Sequence, residues 1–293
     1  MTLKQIILDT SKELQKKKIK EPLKEAEALI SLAINFTPSQ LILNSQTELN
    51  SFQIKNIKKI LKKRLQAWPL AYLSGKKNFY NLEFIVNKNT LIPRPESELI
   101  IDQILKENFF NKKTTIIDIG TGSGCLIISL ANIFRTNKNI YFYGTDISRP
   151  ALNIAKINAK KYQLNKRIIF LKGDLLKPIL KKIKKNLNHN QIIIIANLPY
   201  LTKKEIKNSP SIQKEPFKSL YGGNDGLKYY KQLLDQIKDI KTKENNIILY
   251  QEINDWQKDK LESLIMKKIG ILKPQIATLK DLAGYNRLTI TRF

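Results

Sequence analysis

The stretch Thr114–Ala131, TTIIDIGTGSGCLIISLA, constrains this chain more than any other. An apolar run, Ile116 to Ile119, carries a single acid, Asp118, and breaks at Gly120. Gly120, Gly122 and Gly124 then alternate with Thr121 and Ser123 before a second apolar run begins. The pattern predicts a strand, a tight glycine turn and a helix. Glycine tolerates positive φ and a close backbone approach, so the N–H groups of such a turn can press against a ligand at a helix N-terminus. The spacing is G-x-G-x-G. The dinucleotide fingerprint G-x-G-x-x-G needs a glycine where Cys125 stands, so a purely structural turn stays open on this stretch alone.

Three further strand ends narrow the choice. Ile140–Asp146, IYFYGTD, reads as a strand ending in an acid. It lies roughly 20 residues beyond the glycines, where a doubly wound sheet would hold a ribose diol. Ile168–Asp174, IIFLKGD, ends a second strand with an acid, and Gln191–Tyr200, QIIIIANLPY, ends a third with Asn-Leu-Pro-Tyr. Strands alternate with helical stretches, among them Arg149–Lys161 and Leu227–Ile240, as βαβ units that build a parallel sheet with helices on both faces. Further strands are expected at 246–252, near 271–279 and at 287–292. The polar strand ends, in this order, resemble those of class I S-adenosylmethionine-dependent methyltransferases. The resemblance implies a Rossmann-like α/β fold with a seven-stranded, mostly parallel sheet.

The region ahead of the glycine motif has a different period. Residues 1–75 read as a small helical bundle. Leu3, Ile6, Ile7 and Leu14 mark one apolar face. Pro22 opens a second helix with Leu23, Ala26, Leu29, Ile30 and Ala33 inward. Thr37-Pro38 begins a short third helix, and residues 47–66 form a long one with Phe52, Ile57, Ile60, Leu61 and Leu65 on one side. No catalytic polar cluster falls here, so the expected role is binding or orienting a partner. Over 76–93 the apolar residues Phe79, Leu82, Phe84 and Val86 nearly alternate, which predicts a β-hairpin linker with a turn signal at Asn87–Asn89. The segment LIPRPESELI opens the domain 94–293. Ser97 or Glu96 can cap the helix Glu98–Glu107. Arg94 and Glu96 either pair across the domain joint or shape a substrate mouth. The irregular segment 201–226 has the length of a functional loop.

Composition excludes several classes. One cysteine rules out a disulfide framework and suits a reducing cytosol. The polar, amphipathic start is not expected to be a secretion signal. No apolar run approaches the roughly 20 residues that span a bilayer. A cytoplasmic protein with no membrane partner is therefore expected. The formal charge of +27, from 52 basic and 25 acidic residues, raises a nucleic-acid partner. The lysines are scattered through lysine- and asparagine-rich stretches rather than gathered into one stripe, so no dedicated nucleic-acid surface is expected. His189, the single histidine, sits in the lysine-rich stretch Lys177–Asn190 and is expected at the surface. No metal site is expected.

Asn197–Tyr200 is the most informative stretch for chemistry. An amide or exocyclic amine is a poor nucleophile because its lone pair is delocalised. The Asn197 side-chain oxygen and the Leu198 carbonyl could accept both N–H groups of such a nitrogen. Pro199 keeps Leu198 extended, so that its carbonyl points into the site, and Tyr200 can lie against the planar group. On the methyltransferase resemblance, Gly120, Thr121, Gly122, Ser123 and Gly124 hold the methionine end of S-adenosylmethionine. Asp146 takes the ribose hydroxyls, Asp174 with Leu175 brackets the adenine, and Asn197 also borders the cofactor. Asp118 either faces the methionine ammonium or braces the turn, and Cys125 is a packed residue rather than a nucleophile.

Longer matches narrow the family. PLAYLSGKKNFYNLEF, LIPRPESELI, IIDIGTGSGCLIISLA, GTDIS, ANLPY, EPFKSLYGGNDGL and NRLTITRF resemble the peptide chain release factor glutamine methyltransferases, the PrmC/HemK family. That resemblance implies N5-methylation of the glutamine in the Gly-Gly-Gln motif of class I release factors, by a monomer. It also implies substrate contacts from Asn197, Leu198, Pro199, Tyr200, Arg94 and Glu96. Arg94-Pro95-Glu96 favours this branch over a related one acting on a ribosomal protein. The family usually has Asn-Pro-Pro-Tyr where this chain has Leu198. Asn-Leu-Pro-Tyr also resembles ribosomal RNA adenine N6-methyltransferases, although those place the glycine motif near the N-terminus and a helical domain last. A cofactor-binding, ribosome-associated protein without catalysis is the third reading, and the intact acid and Asn-x-Pro-Tyr motifs argue against it.

Overall fold

The computed structural model describes residues 1–107, 112–180, 191–242 and 245–293. His189 and the stretch 181–190 lie outside the described residues. The chain forms two units: residues 1–75 with 210–214, and residues 76–209 with 215–293.

The first unit holds α1 (Leu3–Lys16), α2 (Pro22–Ile34), α3 (Pro38–Leu43), α4 (Ser51–Leu65) and α5 (Leu70–Ser74). Thr2 with Gln5, Thr37 with Gln40 and Asn50 with Gln53 form capping boxes that satisfy the first-turn N–H groups. Leu3, Ile6, Ile30, Leu41 and Ile57 pack as one cluster, and Leu14, Ala26 and Leu29 as another. Two residues expected inward are not. Phe52 is 70% exposed, because at 100° per residue it points about 140° away from Ile57. Leu23, in the first turn of α2, is 47% exposed, ahead of the buried stripe that begins at Ala26.

The second unit opens with the antiparallel hairpin β1 (Lys76–Phe79) and β2 (Leu82–Ile85). Its turn is Tyr80-Asn81, both with positive φ, the two-residue geometry whose twist matches a hairpin. The Asn87–Asn89 signal belongs to a separate turn after β2, where the Thr90 N–H donates to the Asn87 carbonyl. Phe79 and Phe84, on one face of the ribbon, outrank that signal because both are completely buried.

The main sheet contains β3 (Thr114–Ile119), β4 (Ile140–Asp146), β5 (Ile168–Lys172), β6 (Gln191–Ala196), β7 (Asn246–Glu252), β8 (Gln275–Lys280) and β9 (Asn286–Arg292), in the order β5-β4-β3-β6-β7-β9-β8. The pairs β3/β4, β4/β5, β3/β6 and β6/β7 are parallel, and β9 runs against both its neighbours. The helices are α6 (Glu98–Leu105), α7 (Cys125–Ile133), α8 (Arg149–Lys161), α9 (Lys203–Lys207), α10 (Lys228–Lys238) and α11 (Lys258–Ile269). The central strands β3 and β6 are buried along their whole length, which is why they read as unbroken apolar runs. Alternate residues feed opposite cores: Ile193 and Ile195 join the face of α6 and α7, while Ile192 and Ile194 join that of α10 and α11.

The chain leaves β3 toward β4 and β5, then crosses back to β6 on the other side of β3. Such a reversal opens a crevice at the carboxyl edge, where doubly wound sheets bind ligands. The register aligns what stands there. Ile119 pairs with Thr145 and with Ala196, and Ala196 pairs with Gln251. The next residues along, Asp146, Gly120, Asn197 and Glu252, therefore form one transverse row.

Candidate active site

At one end of the row the glycine turn and two acids meet. Gly120, Gly122 and Gly124 all have positive φ, as the sequence requires. The Gly122 N–H donates to Asp146 Oδ2 at 3.0 Å, and the Ser148 N–H to Asp146 Oδ1 at 2.8 Å. Thr121 Oγ1 donates to Asp118 Oδ2 at 2.6 Å, so Asp118 does brace the turn. Buried Asn158 joins this turn to the hairpin, donating to the carbonyls of Ser123 and Ile85 and accepting from the Ile85 N–H. Burial pushes the Asp118 carboxyl up to about 7, despite the Thr121 bond, with the Asp146 charge adding to the rise. Burial raises Asp146 as well, against the N–H groups of Ser148 and Gly122. Among the described residues neither acid has an ion-pair partner, in a chain of net charge +27. Buried carboxylates normally acquire a partner, because desolvating a lone charge is costly.

The residues expected to bracket adenine are less enclosed. Asp174 pairs with Lys177 at 2.8 Å and is partly exposed. Leu175 is buried with φ of 50°, and its carbonyl accepts from Thr145 Oγ1 at 2.9 Å. Cys125 is partly buried, and its thiol is pushed up to about 12 by burial and by Asp118, which leaves it inert as a nucleophile.

At the other end of the row Asn197 sits in a network the sequence did not reveal. Its Nδ2 donates to Ser97 Oγ at 2.9 Å and to Glu252 Oε2 at 2.9 Å. Ser97 in turn donates to Glu252 Oε2, and Tyr200 donates to Glu252 Oε1 at 3.2 Å. The expected cap role of Ser97 is thus overturned: neither it nor Glu96 makes a side-chain cap at α6. Glu252 is 2% exposed; burial raises its carboxyl, while Ser97, Arg287 and Tyr200 hold it down. Tyr200 is itself raised by burial and by Glu252, so it stands as a protonated donor.

Two glycines shape the motif's backbone from the 201–226 loop. A Cβ on Gly222 would stand 2.4 Å from the Pro199 carbonyl, and one on Gly226 would stand 2.4 Å from the Tyr200 carbonyl. The Leu201 N–H donates to the Leu220 carbonyl and the Gly222 N–H to the Leu201 carbonyl, both at 2.9 Å, and Gln257 Nε2 reaches both the Tyr200 and the Gly226 carbonyls. Arg94 does not pair with Glu96. Its Nη2 meets Glu215 Oε1 at 2.5 Å, and Glu215 Oε2 accepts from the Ile92 N–H at 3.0 Å. Glu215 is buried beside Arg94, whereas Glu96 faces solvent. The ion pair ties the proline segment to the loop that follows Asn-Leu-Pro-Tyr.

Comparison with known proteins fits this arrangement. Residues 5–75 match the PrmC N-terminal domain, and residues 110–268 match a methyltransferase domain. The release factor glutamine methyltransferase of Dictyoglomus turgidum is 33% identical over 90% of this chain and 89% of its own length. That of Bacillus subtilis is 32% identical over 89% and 88%. The chain belongs to the release factor glutamine methyltransferase family. A bifunctional methyltransferase of Rickettsia conorii is 30% identical over 99% of this chain but only 57% of its own length. The hMettl16 catalytic domain, solved in complex with MAT2A 3'UTR hairpin 6, shares the fold with a TM-score of 0.54 at 17% identity, over 72% of this chain and 75% of that one.

The family uses S-adenosylmethionine, and the residues at the row's donor end fit it. That ligand carries an ammonium and a sulfonium, and the site offers two buried acids without cations of their own. A Cβ on Gly122 would meet nothing nearer than the Gly120 carbonyl at 3.9 Å, so the outer side of the turn is open to a close approach. Among the described residues no cluster of His, Cys, Asp and Glu could hold a metal ion, and no helix is long and apolar enough to cross a membrane.

Proposed function

We propose that this chain N5-methylates the glutamine of the Gly-Gly-Gln motif of class I peptide chain release factors. The observation that carries the proposal is the state of Asn197. Both hydrogens of its amide are taken by Ser97 and Glu252, and no described residue donates to its Oδ1 or to the Leu198 carbonyl. Two acceptors stand free beside the glycine turn, matching the two N–H groups of a primary amide.

S-adenosylmethionine, when bound, supplies an electrophilic methyl group on sulfur. Gly120–Gly124, Asp118 and Asp146 hold its methionine and ribose parts, and Leu175 with Asp174 lies on the adenine side. Asn197 and Leu198 fix the plane of the glutamine amide, and their acceptance of its hydrogens pushes electron density onto the nitrogen. Pro199 keeps the Leu198 carbonyl turned inward, and Tyr200 lies against the planar group. Positioning carries most of the acceleration; the transfer would exchange the methyl–sulfur bond for a methyl–nitrogen bond, leaving a neutral thioether, and one of the two amide hydrogens would leave as a proton to solvent. Arg94, held by Glu215, lines the entrance, with Glu96 available to the substrate. The helical residues 1–75 recognise the body of the release factor, because a tripeptide offers too little surface for specificity. The enzyme acts as a cytoplasmic monomer.

The test offers one preparation the release factor, the same factor with its glutamine replaced, and ribosomal RNA, with isotope-labelled donor. Label is expected on the glutamine nitrogen of the intact factor, located by mass spectrometry. Label in the RNA alone would replace this reading with the adenine methyltransferase one.

A further inference from the structure

A free asparagine amide has two orientations of nearly equal shape, and only one serves the proposed chemistry. With Oδ1 toward the substrate, the site accepts N–H groups; with Nδ2 there, it repels them. Ser97 cannot choose between the two, because a hydroxyl both donates and accepts. A carboxylate only accepts. Glu252 takes the Ser97 hydrogen, which leaves the Ser97 lone pair facing Asn197, and it also accepts from Asn197 Nδ2 at 2.9 Å. A flipped amide would set Oδ1 against the Glu252 oxygens and lose both bonds.

We infer that Glu252 is the positioning residue that sets the polarity of the Asn197 amide, making this a site for nitrogen bearing hydrogens. The inference rests on the function proposed above. Burying a carboxylate is unfavourable unless its lone pairs are filled. Here Ser97, Asn197 and Tyr200 fill them, and the Glu252 backbone carbonyl is held by Tyr230. The charge is therefore locked in position, and its direction passes to the side chain whose oxygen accepts from the substrate amide. Glu252 stands at the end of its own strand, so its place beside Asn197 follows from the β6/β7 register.

The test is a double-mutant cycle in the full chain, using release factor and labelled donor. Glu252→Gln keeps the shape and removes the obligation to accept. It should lower kcat by at least about tenfold, a smaller loss than the roughly hundredfold or more seen when a preorganised group that itself meets the reacting atoms is removed. The KM for release factor, the donor affinity and the melting temperature should stay near wild type. Combined with Asn197→Ala, the same change should cost nothing further, because the residue it acts through is gone. Losses that multiply in the double variant would overturn the inference, as would an unchanged kcat in Glu252→Gln. Should Glu252→Gln melt early, Ser97→Ala decides: it leaves Glu252 bonded directly to Asn197 and should cost only about threefold to fivefold, as for one neutral hydrogen bond. A loss from Ser97→Ala as large as that from Asn197→Ala would place the polarity in Ser97 and end the inference. Wild-type enzyme that leaves the release factor glutamine unlabelled would overturn the proposed function itself, a result read before any variant is compared.

Discussion

The two ends of the row Asp146–Gly120–Asn197–Glu252 are built by different means. At the donor end the decisive bonds are local: Thr121 to Asp118 spans three residues and Gly122 to Asp146 spans 24. At the acceptor end Asn197 reaches Glu252 across 55 residues and Ser97 across 100. The donor end leaves its acids without cations, ready for a positively charged ligand. The acceptor end fills its acid with donors and leaves two neutral acceptors free. One end selects by charge, and the other by the direction of hydrogen bonds. A common cofactor can thus be held by short-range structure, while the choice of acceptor atom depends on distant segments meeting.

Four measurements test that division, the largest expected effect first. Asn197→Ala should lower transfer by about a hundredfold or more while donor affinity stays near wild type, since a positioned polar group is lost at one end only. Equal damage to donor binding would dissolve the distinction between the ends. Asp146→Ala should do the reverse, weakening the donor by at least about tenfold, or roughly 1.4 kcal/mol by calorimetry. Unchanged donor affinity would remove Asp146 from the site.

The third measurement concerns charge. The Asp118 carboxyl sits at about 7 without ligand, and a nearby cation favours its ionised form. Its pKa therefore falls on binding, and below about pH 7 the donor must expel a proton to bind. Affinity should drop by up to about tenfold per pH unit as the pH falls from 7, and hold steady above 7. Asp118→Asn should flatten that dependence. A pH-independent wild type would assign Asp118 only to bracing the turn. The smallest effect is expected from Leu198→Pro, which retains the carbonyl and should change kcat by less than about tenfold, under roughly 1.4 kcal/mol. A loss as large as that of Asn197→Ala would show that the Leu198 side chain, packed against the Gly120 turn, sets the geometry.

Much of this protein is decided locally and is readable in its residues. The apolar runs of β3 and β6, the three positive-φ glycines and the acid closing β4 follow from short-range rules of burial and backbone freedom. They suffice to place the donor end and Asn197–Tyr200 at strand ends. Local signals fail where several candidates compete. The hairpin turns at Tyr80-Asn81 rather than at Asn87–Asn89, because burying Phe79 and Phe84 outweighs turn chemistry. Phe52 faces out because the packing of its neighbours set the buried stripe at Ile57. Only the tertiary structure could hand Ser97 to Asn197 instead of to α6, and Arg94 to Glu215 instead of to Glu96. Gln251-Glu252 at the end of β7 reads as an ordinary strand end, and nothing nearby in sequence marks its glutamate. Its importance arises from the β6/β7 register, and register is settled by the whole sheet burying its two faces at once. A pattern along one strand states which residues turn inward, but not which neighbour they will find there.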